Sequence, residues 1–195
     1  MTSSGKTTNI LVVGVGGQGI ILASEVLSMV ALDAGFDVKK SEVHGMAQRG
    51  GSVNSMVRFG PKVHAPIIPS GETDILLAFE KLEPLRWLKF CHPATVAIVN
   101  DQTIHSLTTA TSLERYPENV DDELRARFSR LYLTPAAEIA GRVGNPRVVN
   151  VILLGLLSRM LDFPEEAWLE ALKRRLSEKI LAINLAAFAE GRALA

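Results

Sequence analysis

The sequence predicts an α/β fold: a Rossmann-like three-layer domain with a mostly parallel sheet and a helical C-terminal region. Three observations carry that expectation. Residues 9–13 form a compact apolar run that stops at a glycine, as a strand buried on both faces would. Gly14-Val15-Gly16-Gly17-Gln18-Gly19 follows at once and opens an apolar helix. From Ala136 onward the apolar spacing is almost wholly helical.

The elements follow in order. Residues 18–34 read as a helix whose wide apolar face holds Ile20, Leu22, Ala23, Val26, Leu27, Val30 and Ala31. Gly35 stands where a left-handed residue closes a helix. Residues 36–43 form a second, more polar strand near an edge, completing a strand–helix–strand unit. A glycine-bearing loop, 44–51, leads to an alternating strand at 52–59. The prolines of 61–71 mark a surface connection. Residues 74–79 are a strongly apolar strand, 80–90 a short helix with Trp87, and 94–99 another buried strand. After a polar, irregular stretch, 120–130 is helical and 131–133 a short last strand. Three helices are expected at 148–161, 165–176 and 178–190, with Pro164 suited to a first turn. Residues 1–195 therefore make one domain, with 1–8 a polar lead-in expected to be disordered and lacking an apolar secretory core.

Composition excludes several classes of function. Hydrophobic residues supply 47% of 195 positions, enough for a core without staples. Net charge is zero and no basic stretch exceeds Lys39-Lys40 or Arg174-Arg175, so neither a nucleic acid nor an anionic lipid surface is expected as partner. Cys91 is the only cysteine, so the chain has no disulfide of its own and cannot ligate an iron–sulfur cluster, which takes four thiolates. A reducing, cytoplasmic setting is the natural reading. No apolar run approaches the roughly 20 residues of a membrane span.

The glycine turn fits G-x-G-x-x-G in its proper strand-to-helix context. Gly14 would permit the tight turn, Gly16 a close approach to backbone, and Gly19 close helix–strand packing, while unpaired N–H groups at the helix start would favour an anion. Glu42 ends the second strand, where a dinucleotide enzyme keeps its ribose-binding acid. A free-standing NAD or FAD binder is one reading. A tight corner packed against protein, in a purely structural assembly module, is the other.

The segment Glu42-Val43-His44-Gly45-Met46-Ala47-Gln48-Arg49-Gly50-Gly51-Ser52-Val53 is more distinctive, and nothing in a dehydrogenase calls for it. With Gly14 to Gly19, DILLAFEKLE at 74–83, NVILLGLLS at 150–158 and NLAAFAEG at 184–191, it resembles the gamma-type domain shared by pyruvate, ketoisovalerate and indolepyruvate ferredoxin oxidoreductases. The similarity runs in order over nearly the whole chain, and EVHGMAQRGGSV is closest in spelling to the indolepyruvate type.

The resemblance implies a subunit of an enzyme that oxidatively decarboxylates a 2-oxoacid such as an aryl pyruvate. Such an enzyme transfers the acyl group to coenzyme A and passes two electrons to ferredoxin. It further implies that thiamine diphosphate, Mg and 4Fe–4S clusters belong to a large alpha subunit, leaving this chain inactive alone. The missing cysteines and the absence of a Gly-Asp-Gly segment agree with that division. The residues left for a substrate, coenzyme A or partner surface are the two glycine segments. Arg49 could grip a carboxylate or phosphate with its planar fork, or simply pair with an acid. His44 could titrate near neutrality or serve as a hydrogen-bonded structural residue. Gln48 could donate to a carbonyl or fix the loop, with Gly45, Gly50 and Gly51 allowing close approach. No metal site is expected, because His64, His92 and His105 are scattered. Glu80 and Glu83 read as a solvated helix start, and Cys91 as a packed small side chain. The stripe Val148, Val151, Ile152, Leu154 and Leu157 reads as core, although some of it, with Leu181, Leu185 and Phe188, could instead meet a partner subunit.

Overall fold

The computed structural model describes residues 5–42, 50–104 and 116–194. Its sheet has six strands in the order β2-β3-β1-β4-β5-β6: β1 Thr8–Val15, β2 Asp37–Glu42, β3 Ser52–Gly60, β4 Thr73–Ala78, β5 Cys91–Asn100 and β6 Arg130–Thr134. The β1–β4, β4–β5 and β5–β6 pairs are parallel, and β3 is antiparallel to both β1 and β2. Thus β2 is an edge strand, as its polar sequence suggests, but β3 stands between it and β1.

Seven α-helices lie among the described residues: α1 Ile20–Asp33, α2 Glu83–Arg86, α3 Val120–Arg127, α4 Ala136–Val143, α5 Val149–Ser158, α6 Glu165–Arg175 and α7 Glu178–Arg192. Side chains alternate across a strand, and β1 shows the consequence. Ile10 and Val12 enter one core with residues of α1, α4, α5, α6 and α7, whereas Leu11 and Val13 enter a second core with Val120 and Leu124 of α3. Two cores on two sheet faces make the three layers. No helix among the described residues is long and apolar enough to cross a membrane.

Helix α1 ends as its sequence predicts. Gly35 takes φ 83°, its N–H bonds the Leu32 carbonyl at 2.9 Å, and the Phe36 N–H bonds that of Ala31 at 3.1 Å. Paired this way, the last carbonyls of the helix are satisfied. The expected helix over 80–90 is shorter than its sequence suggests: α2 spans only Glu83–Arg86, and a 3-10 turn, Leu88–Phe90, follows. The Glu80 carboxylate accepts the Glu83 N–H at 2.5 Å, so a side chain replaces the backbone acceptor a longer helix would need. Pro164 caps α6 from outside rather than entering its first turn.

The N-terminal lead-in is also shorter than expected. Thr8 already belongs to β1 and Lys6 pairs with Asp74 at 2.9 Å; residues 1–4 lie outside the described residues.

At the C-terminal region, α5 and α7 meet backbone to backbone. A Cβ added to Gly155 would lie 2.2 Å from the Phe188 carbonyl oxygen, and one added to Gly191 1.9 Å from that of Ile152. The apolar stripe of α5 is buried there, as is Phe188, and Leu181 and Leu185 are half-buried.

Candidate functional site

Because β1, β4, β5 and β6 run parallel, Val15, Ala78, Asn100 and Thr134 end at one side of the sheet. Strand β3 begins there too, since Ser52 pairs with Val15. Ligands of open α/β sheets bind outside such carboxyl ends. The glycine turn between β1 and α1 belongs to this corner.

Gln18 organises the turn. Its Oε1 accepts the Val15 N–H at 2.6 Å, and its Nε2 donates to the Phe79 carbonyl at 2.7 Å, tying β1 to the chain leaving β4. Gly14 is required by this contact, because a Cβ there would lie 2.8 Å from both Gln18 Oε1 and Phe79 Cβ. Gly17 and Gly19 have φ of 101° and 85°. Gly19 packs on Asn150 at the start of α5, whose Nδ2 would be 2.3 Å from a Cβ. The third glycine thus admits a helix side chain rather than a strand. Gly17 is exposed and faces open space.

The N–H of Gly16 donates to the Gly51 carbonyl at 2.9 Å, so the two glycine motifs meet. This contact occupies a donor that a dinucleotide site would aim at pyrophosphate. Glu42 weighs further against that reading. With β3 between β2 and β1, it lies two strand spacings, about 9.6 Å, from β1. Its carboxylate accepts from Lys40 at 2.5 Å and from Ser24 at 3.2 Å.

Of the residues singled out in the sequence, Gly14, Gly16, Gly17, Gln18, Gly19, Gly50 and Gly51 come together here. His44, Gly45, Gln48 and Arg49 lie outside the described residues, as does His105.

Glu80 and Glu83 require a correction. They do not make a solvated helix start; each is only 1% exposed. Glu80 Oε2 accepts from the Tyr116 hydroxyl at 3.2 Å. Burial, reinforced by the neighbouring Glu83 charge, pushes the Glu80 carboxyl up to about 7 against the pull of the Glu83 N–H. Glu83 Oε2 accepts from the Ser52 hydroxyl at 2.5 Å and from Trp87 Nε1 at 3.3 Å, and Oε1 from Arg86 at 3.0 Å. Burial raises this carboxyl too, with Ser52 and Arg86 opposing.

Sequence reasoning also missed Asn100 and Asn150. The Asn100 Nδ2 donates to the Phe79 carbonyl at 3.1 Å, giving that oxygen a second donor. A lone polar residue ending an apolar strand, or opening an apolar helix, was the available signal.

The described residues offer no donor set that fits metal or cluster chemistry. Among the described residues no three His, Cys, Asp or Glu side chains come together to hold a metal. Cys91 opens β5, at the opposite side of the sheet from the glycine turn, and burial pushes its thiol up to about 11, away from the thiolate a ligand must be. It packs against the second core, as its sequence context suggests.

A family profile described as pyruvate ferredoxin/flavodoxin oxidoreductase matches residues 9–194. The chain is 39% identical over 187 residues to the indolepyruvate oxidoreductase subunit IorB of Archaeoglobus fulgidus, covering 94% of this chain and 92% of that one. Identity to IorB of Thermococcus kodakarensis is 35% over 194 residues, with 95% of each covered. In fold, it superposes on the 2-oxoglutarate:ferredoxin oxidoreductase of Magnetococcus marinus, solved with 2-oxoglutarate, coenzyme A and succinyl-CoA bound. That match has a TM-score of 0.76 and 24% identity, covering 97% of this chain but only 31% of that longer one. The gamma subunit of keto/oxoacid ferredoxin oxidoreductase from Geobacter sulfurreducens gives 0.70 at 22% identity, covering 96% and 97%. With the profile spanning nearly every residue and the IorB relatives alike over more than nine tenths of their length, the chain belongs to the pyruvate ferredoxin/flavodoxin oxidoreductase family and is a subunit of such an oxidoreductase.

Proposed function

We propose that this chain is the small subunit, binding no cofactor by itself, of a cytoplasmic indolepyruvate:ferredoxin oxidoreductase. The observation that carries the substrate is the similarity to IorB, 39% identical over more than nine tenths of both chains. In this reading the assembled enzyme converts an aryl pyruvate to its acyl-CoA and carbon dioxide, passing two electrons to ferredoxin. Thiamine diphosphate, magnesium and 4Fe–4S clusters reside on a larger alpha subunit in this reading; a single cysteine cannot supply a cluster, and the sequence has no Gly-Asp-Gly segment of the kind that holds magnesium and diphosphate. The joined glycine segments, with Arg49 as an anion-gripping residue, form the surface offered to coenzyme A or to that partner.

Reconstitution tests the reading. The purified chain alone is expected to give no indolepyruvate-dependent acceptor reduction, and addition of the large subunit to produce it. Turnover by the lone chain, or a reconstituted complex that accepts pyruvate and refuses indolepyruvate, would overturn it.

A further inference from the structure

Glu83 is more deeply buried than a surface acid has reason to be, and its partners define what it does. Burying an ionised carboxylate is costly unless it is paired and hydrogen-bonded. Here Arg86 supplies the charge and Trp87 a second donor from the same turn. The remaining donor, Ser52, comes from 31 residues away and is the first residue of β3. Ser52 directly follows Gly50 and Gly51, and Gly51 is the residue that accepts the Gly16 N–H. Glu80 fixes the turn that presents Glu83, by accepting its backbone N–H.

We propose that Glu83 is a positioning residue for the oxidoreductase reaction, acting through the Ser52 hydroxyl to lock the Gly50–Gly51 end of the second glycine segment against the Gly16 turn. The carboxylate touches no substrate in this role. It sets where two backbones lie at the corner proposed above as a coenzyme A or partner surface, taken here as the former, and so rests on that reading.

Ser52→Ala removes the tie while sparing the ion pair of buried Glu83 with half-buried Arg86. In the reconstituted complex this variant is expected to raise the KM for coenzyme A about ten-fold with kcat within about two-fold, the size of one charge-assisted hydrogen bond. Ser52→Thr keeps a hydroxyl and restores the KM. In the full-length chain alone, hydrogen exchange should quicken about ten-fold at residues 51–54 in Ser52→Ala and stay unchanged at residues 10–13. Glu83→Gln, where it folds, shows the same split between KM and kcat. Faster exchange with an unaltered KM makes the tie merely structural and overturns the proposal, as does unaltered exchange. A wild-type complex without turnover would sink the assigned activity instead, leaving the exchange comparison to decide the tie.

Discussion

At the carboxyl corner Gly17 has φ 101° and open space where a side chain would begin, whereas at the crossing of α5 and α7 a Cβ on Gly191 would meet the Ile152 carbonyl oxygen at 1.9 Å. Both regions belong to glycine-bearing stretches that carry the family resemblance, yet their glycines answer different demands. In the crossing, glycine is a matter of volume: two helices share space that no side chain can enter. At the corner it is chiefly a matter of backbone dihedrals and chain approach, and one side stays accessible. A motif's spelling does not distinguish the two. The surroundings of each Cα do.

Substitutions should separate these demands, beginning with the crossing. Gly191→Ala forces two backbones apart and is expected to cost about 3 kcal/mol or more. A fall in the denaturant midpoint reads this, and near-wild-type stability would mean that the helices part easily. Glu80→Gln comes next and depends on pH. The folded carboxyl sits at about 7 against an ordinary 4.5. Its ionisation therefore weakens the fold: the penalty is absent below pH 4.5, grows between 4.5 and 7, and is complete above 7. Gln removes that penalty while keeping an acceptor for the Glu83 N–H. Relative to wild type, the variant should thus gain on the order of 3 kcal/mol at pH 8 over its standing at pH 4. Equal pH dependence of the two melting curves would contradict a buried, titrating Glu80. Gly19→Ala combines left-handed backbone with a clash against Asn150 and should cost about 2 kcal/mol. Gly17→Ala carries the backbone term alone, about 1 kcal/mol. If the two corner variants prove equally stable, the close approach of Asn150 contributes nothing.

The legibility of the fold follows the range of the interactions. Strand β1, the glycine turn and α1 could be read because periodicity and capping are local, down to Gly35. The corner's polar ties could not. Ser52 meets Glu83 across 31 positions and Tyr116 meets Glu80 across 36, and neither carboxylate betrays its burial in the residues beside it. What shortened α2 is a local tie, the Glu80 carboxylate taking the Glu83 N–H three residues on. Glu42 looked like a ribose-binding acid because strand–helix–strand spacing does not reveal that β3 inserts antiparallel between the two strands. Asn150 was hidden in an apolar stretch whose partner lies 131 residues earlier, at Gly19.

The central claim, that this polypeptide borrows its redox groups from a companion, is tested most directly by a visible spectrum and thiamine assay on the purified chain and on its complex with the large subunit. The chain alone should be colourless and free of thiamine diphosphate, with both the iron–sulfur absorbance and the thiamine appearing only in the complex. A brown, thiamine-bearing preparation of the lone chain would contradict the account.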